Sequence, residues 1–122
     1  MRNYNKEIGF YGEDIALNFL KKNNYKILDK NFICRSGEID LISLKGEILN
    51  FVEVKSRFSN SFGNPKESVT CFKQSRIINA AKYYMHSKKL YNFYIRFDVI
   101  EVIFNRNYTD YSINFIEDAF RS

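Results

Sequence analysis

The amino-acid sequence predicts a three-layer α/β domain: a central mixed sheet, a helix on each side, and the element order αβββαββ. Three observations lead there. Two stretches carry apolar residues at the period of a helix, the run between them alternates like strands, and two further strand-like runs follow. With 122 residues there is material for one core and not for two, so residues 1–122 read as a single domain.

The first helix is expected over about 6–22, where Ile8, Ile15, Ala16, Phe19 and Leu20 form an apolar stripe and Asn23-Asn24 ends it. Residues 25–35, rich in Ile, Phe and Leu, make a first strand, and Ser36-Gly37 turns the chain. Residues 37–57, GEIDLISLKGEILNFVEVKSR, make a hairpin of two strands. Its Gly46-Glu47 centre suits a two-residue type II′ loop, because Gly accepts the positive φ that the first turn position requires. Residues 58–65 (FSNSFGNP) form a turn-rich loop holding the only proline. A second helix is expected over about 67–87, with Val69, Ile77, Ala80, Ala81 and Tyr84 as its stripe. Residues 94–104 make a fourth strand and 111–116 a shorter fifth element, with no repeat, linker or low-complexity tail.

The hairpin is the informative part. Its loop makes Lys45 face Ile48, so facing residue numbers sum to 93 and Asp40 falls opposite Glu53, with Cβ atoms roughly 5 Å apart. Alternation puts Asp40 on the face of Glu38 and Ile42, puts Glu53 on the face of Lys55, and turns Val52 and Val54 the other way, into the core. Opposed like charges repel, and a divalent cation between them removes the penalty. Mg²⁺ takes oxygen ligands, usually one or two carboxylates with phosphate and water completing the shell. An ammonium at Lys55 would reach the same cavity, there to orient a water and stabilise charge at phosphorus. A cross-strand ion pair of Lys55 with Asp40 or Glu53 accounts for the lysine but not for two opposed acids. Glu13 is flanked by Gly9, Gly12 and Ala16 at the edge of the first helix's stripe. It either leans over the sheet toward Asp40 or is an ordinary exposed helical glutamate. Glu38 reads as a surface residue, and Asp98 as a structural hydrogen-bonding acid.

The formal charge is +5, unevenly spread. From Lys55 to Lys89 eight Lys or Arg stand against one acid, Glu67, a net +7 that leaves −2 for the remainder. A polyanion such as nucleic acid is the natural partner for that segment, the alternative being a solvated basic helix face. Lys73, Arg57 and Arg76 are assigned to backbone phosphates, with a plain solvated lysine as the other reading of Lys73. No apolar run of about eighteen residues and no basic-then-apolar leader is present, so neither a membrane span nor a secretory signal is expected. Cys34 and Cys71 lack metal-ligand or redox spacing and read as reduced thiols of a cytoplasmic protein. His86, the single histidine, falls near a helix end at the surface, which leaves Cys-His or Ser-His catalysis unsupported.

An acid on a first helix, then GEID, then a hairpin, then EVK is an order that resembles the PD-(D/E)XK nuclease superfamily, most closely its archaeal Holliday-junction resolvase-like branch. More narrowly the chain is similar to the YraN-like family of small bacterial proteins of uncharacterised function. The blocks that carry the likeness are GEDIA (12–16), GEIDLI (37–42), FVEVKSR (51–57), FGNPKESV (62–69) and RFDVI around Phe97. The superfamily's proline before the first aspartate is replaced by Ile39. The resemblance implies a restriction-endonuclease-like fold and a metal site of Glu13, Asp40 and Glu53 with the carbonyl of Val54. Lys55 would be the catalytic lysine and Mg²⁺ or Mn²⁺ the cofactor.

Together these readings lead to a Mg²⁺-dependent endonuclease that hydrolyses phosphodiester bonds in DNA, with structured or branched DNA as a substrate class. The alternative is a non-catalytic nucleic-acid-binding protein of the same fold, a partner in DNA uptake or repair, and a third reading is an RNA-processing nuclease with the same site. A junction-cutting role would favour a two-fold homodimer presenting two sites.

Overall fold

The computed structural model describes residues 4–59, 69–105 and 110–122, with side chains from residue 11 onward. The elements are α1 (Tyr4–Lys22), β1 (Lys26–Cys34), β2 (Gly37–Lys45), β3 (Ile48–Phe58), α2 (Cys71–Lys88), β4 (Tyr94–Phe104) and β5 (Tyr111–Phe120). The five strands form one sheet in the order β1-β2-β3-β4-β5. Neighbours are antiparallel except β3 and β4, which run parallel from Ile48↔Tyr94 to Phe58↔Phe104. A parallel pair cannot be closed by a tight turn, and α2 lies on the connection between its two strands. The domain is thus α/β, with a mixed sheet and two helices.

Each helix covers its own face. Ile77, Ala80, Ala81 and Tyr84 of α2 pack with Ile42, Leu49, Phe51, Phe97 and Val99 of the sheet. Ile15, Ala16 and Leu20 of α1 pack with Leu41, Val52, Ile100, Val102 and Phe104. Val52 and Val54 join this second core, as alternation requires. Among the described residues the expected stripes supply the buried apolar side chains of both helices; the side chain of Ile8 lies outside the described residues.

Local chemistry sets the ends. Asn24 closes α1 in the left-handed region at φ 69°, and the Asn23 amide donates to the Phe19 carbonyl at 2.8 Å. Gly46 takes φ 59° in the hairpin loop while Glu47 keeps a negative φ, as a type II′ turn needs. The second helix starts at Cys71, later than expected, because Thr70 caps it by accepting from the Lys73 N–H at 3.2 Å. Val69 precedes the helix yet stays buried in the α2-side core. Residues 60–68, with most of the expected turn-rich loop, lie outside the described residues. β5 runs to Phe120 rather than 116 because a register shift opposite Phe97/Val99 re-aligns it beyond a left-handed Asp118.

Asp98 is fully buried (0% exposed) and structural, as the sequence suggested. It accepts from the Asn50 amide at 2.8 Å, the Arg96 guanidinium at 2.9 Å and the Asp118 N–H at 2.9 Å. The Ser43 hydroxyl donates to Asn50, and Arg96 donates to the Tyr25 hydroxyl at 2.6 Å. This chain of polar groups links β2, β3, β4 and β5.

Candidate active site at the end of the β2–β3 hairpin

Two close backbone approaches bring both helices onto the hairpin. A Cβ on Gly12 would collide with the Ser56 hydroxyl, so a residue without one lets α1 rest against β3. A Cβ on Gly37 would stand 2.7 Å from the Arg76 carbonyl, so glycine lets the start of β2 rest against the first turns of α2. Glu13 follows the first contact by one residue. Lys73 lies one turn before Arg76. The sequence explains the placement of both by where it has glycine.

The hairpin register is the expected one, from Lys45↔Ile48 to Leu41↔Val52. Asp40 and Glu53 come next on each strand. The paired register ends before them, so the expected facing pair Asp40–Glu53 is not part of the ladder. Ile39 packs in the same core as Ile42, which breaks the expected alternation at Asp40. There the Asp40 carboxylate accepts directly from the Val54 N–H at 2.8 Å. Since a strand residue presents its N–H and C=O to the same edge, the Val54 carbonyl also belongs to the Asp40 side.

Glu53 is 6% exposed. Lys73 Nζ from α2 lies 2.7 Å from its Oε1, and Lys55 Nζ lies 3.7 Å from the same oxygen. From the α1 side, Glu13 comes within hydrogen-bonding reach of Asp40 and takes a second bond, at 3.2 Å, from the Asn31 amide nitrogen in the orientation that satisfies both groups. Asn31, in β1 at φ 52°, went unnoticed in the sequence because its left-handed backbone leaves no trace in strand alternation.

Electrostatics mark these residues as one cluster. Burial, and then the Glu53 carboxylate, push the Asp40 carboxyl up to about 7, against the pull of the Val54 N–H. Burial also raises Glu13, with the Asp40 and Asn31 hydrogen bonds acting the other way and Glu53 adding to the rise. Burial, and then Lys73 as hydrogen-bond partner and like charge, hold the Lys55 amine below the ordinary lysine value. For Lys73 burial opposes the ammonium, but the bonds to Glu53 and Lys55 outweigh it and the group lies above its ordinary value. Excess negative charge at Asp40 is therefore answered by lysines, with Lys73 as the cation seated on Glu53.

Among the described residues no three His, Cys, Asp or Glu side chains gather closely enough to hold an ion as they stand. The donor chemistry nonetheless fits a hard divalent cation: every acid offers oxygen, and Asp40 and Glu13 are held above their ordinary values by burial. Seating an ion on Glu53 would require Lys73 to swing aside.

The remaining candidates scatter. Arg57, assigned to phosphate in the sequence, sets its Nε 2.7 Å from Glu101, an acid 1% exposed. Glu101 reaches it only through the parallel β3–β4 pairing, which no local pattern reveals. Arg76 and Glu38 are exposed and line a cleft of about 260 Å³ beside Lys73. His86 is exposed and near the Tyr91 hydroxyl, and Cys34 and Cys71 are free thiols. Among the described residues no helix is long and apolar enough to cross a membrane.

Comparison with known proteins gives a family without an assigned activity. The model of the "Uncharacterised protein family UPF0102" matches residues 12–102, which span Glu13, Asp40, Glu53, Lys55 and Lys73. A UPF0102 protein of Clostridium perfringens is 70% identical over 121 residues, covering 99% of each chain. Relatives from Clostridium tetani and Clostridium botulinum, also described only as UPF0102 proteins, are 54% and 53% identical over 99% and 100% of this chain.

Proposed function

From a chain that belongs to the UPF0102 family, we propose a metal-dependent endonuclease that hydrolyses phosphodiester bonds in DNA, on a fold of the restriction-endonuclease kind. One observation carries the reading. Acids from α1, β2 and β3 and lysines from β3 and α2 meet where burial, and then Glu53, push Asp40 up to about 7. Plain scaffolding gains nothing from that arrangement, whereas hydrolysis of a phosphodiester uses both kinds of charge. The five-stranded mixed sheet, with a helix to each face, suits such a fold.

Asp40, Glu53 and the Val54 carbonyl would hold the ion, with Glu13 assisting it or a second one. When bound, Mg²⁺ or Mn²⁺ supplies Lewis-acid polarisation of the scissile phosphate. Lys55, whose amine lies below its ordinary pKa, orients the attacking water. Lys73, on leaving Glu53, is placed to meet a phosphate oxygen, as is the exposed Arg76. Backbone contacts of this kind favour recognition by shape over sequence.

The test is cleavage of a junction, flap and duplex panel in Mg²⁺ or Mn²⁺ by wild type, Asp40→Asn and Lys55→Ala. Each substitution is expected to lower the rate at least about 100-fold, the scale at which one electrostatic or proton-transfer group acts. Cleavage that survives both would end this reading. The Lys73–Glu53 pair favours a second reading, a non-catalytic nucleic-acid-binding protein in which lysine permanently replaces the ion. It predicts salt-sensitive DNA binding, no heat of Mg²⁺ binding in calorimetry, and no effect of Asp40→Asn.

A further inference from the structure

Beside the acid and lysine cluster, the first turn of α2 carries a large apolar side chain that packing does not use. Phe72 is 74% exposed, belongs to neither core, and precedes the lysine that reaches Glu53. Arg76, one turn on, places its guanidinium carbon 5.9 Å from the centre of the Phe72 ring. Across the cleft that Arg76 and Lys73 line stands Ile33 of β1, itself 71% exposed. An aromatic in water loses the burial that normally justifies one. A planar cation beside its ring gives the surface a positive charge with a stacking face, and the neighbouring Lys73 ammonium adds to it on leaving Glu53.

Building on the nuclease reading, we infer that Phe72 and Arg76 form a stacking platform for an unpaired nucleobase of the bound strand, making single-stranded or frayed DNA the preferred substrate of this site. A base offers a π-face whatever its identity, and its phosphates carry the charge that Lys73 and Arg76 complement. In a closed duplex the bases are stacked on one another and unavailable to Phe72, so only an opened strand gains this contact. A junction, flap or frayed end would place such a strand beside Asp40 and Glu53, whereas a blunt duplex would offer phosphates alone.

The experiment measures binding in EDTA, where no turnover occurs, by fluorescence anisotropy of a labelled single-stranded oligonucleotide and a blunt duplex. Phe72→Ala should weaken the single strand about tenfold and the duplex less than about twofold. Phe72→Trp should restore affinity, and its indole fluorescence should be quenched by the oligonucleotide. Equal losses on both ligands, or no loss, overturn the platform, and so does a Phe72→Ala protein whose sedimentation differs from wild type, which would make the ring a self-association contact. Wild type that binds neither ligand overturns the nuclease reading as well. Binding of both with no effect at Phe72 overturns the platform alone.

Discussion

At the scale of single residues, Asp40 is the group whose charge the fold resists most clearly. Its ordinary value is 3.8 and in the folded protein it stands at about 7, chiefly through burial and then through Glu53. Between those two values the folded state holds a proton that the unfolded chain has released. Stability from this group is therefore fully present below the unfolded value, falls as pH rises through the window, and is lost above about 7. Asp40→Asn keeps an oxygen for the Val54 N–H and removes the charge. It is expected to stabilise the protein by on the order of 1–3 kcal/mol at pH 8 and to change little at pH 4. Urea unfolding at the two pH values checks this, and a variant no more stable than wild type at pH 8 would contradict it. The two-residue loop made the register legible as far as Leu41↔Val52, which brings Asp40 and Glu53 near each other without pairing them. Lys73 was legible only as a charge near the site, since its reach to Glu53 depends on how α2 is set down. Asn31 and Glu101 were not legible at all: one needs a left-handed strand residue, the other a pairing between segments more than forty residues apart.

Elements are held to one another here through missing side chains as much as through present ones. Gly37 has φ 156° and lets the backbone of β2 approach that of α2 at Arg76. Gly37→Ala would put a methyl group 2.7 Å from a carbonyl oxygen that cannot rotate away, in a backbone region that L-residues avoid. A loss of about 2–3 kcal/mol is expected, read as a lower midpoint in thermal or urea unfolding. Because α2 must also back away, Lys73 should separate from Glu53, and under the proposed nuclease function DNA affinity should fall with stability. A fully stable Gly37→Ala protein would mean that the two elements have slack. The sequence indicated both helices and every strand through period and turn chemistry. It missed the start of α2, where Thr70 rather than an upstream residue caps the helix, and it cut β5 short because the left-handed Asp118 interrupts its alternation.

Across the whole molecule the sheet is tied by charge in its interior. Ser43, Asn50 and Asp98 are all buried, and their mutual hydrogen bonds are what make this tolerable. Arg96 is the only cation paired with Asp98 among the described residues. Arg96→Met leaves that carboxylate buried without its counter-charge, and a loss of about 3–5 kcal/mol is expected. Circular dichroism melts would show a large drop in Tm, and a shift of under about 2 °C would argue against a shared interior network.

The parallel pairing of β3 with β4 has one more outcome. In chain order the acids of α1, β2 and β3 all precede Lys73, and the strand that completes the sheet follows it. A nascent chain that has emerged only as far as Phe58 holds Glu13, Asp40 and Glu53 but, of the cluster's two lysines, Lys55 alone. It acquires the ammonium that quiets Glu53 when the crossover helix swings over the sheet. The crossover that brings Lys73 to Glu53 is the same one that carries the chain to β4 beside β3.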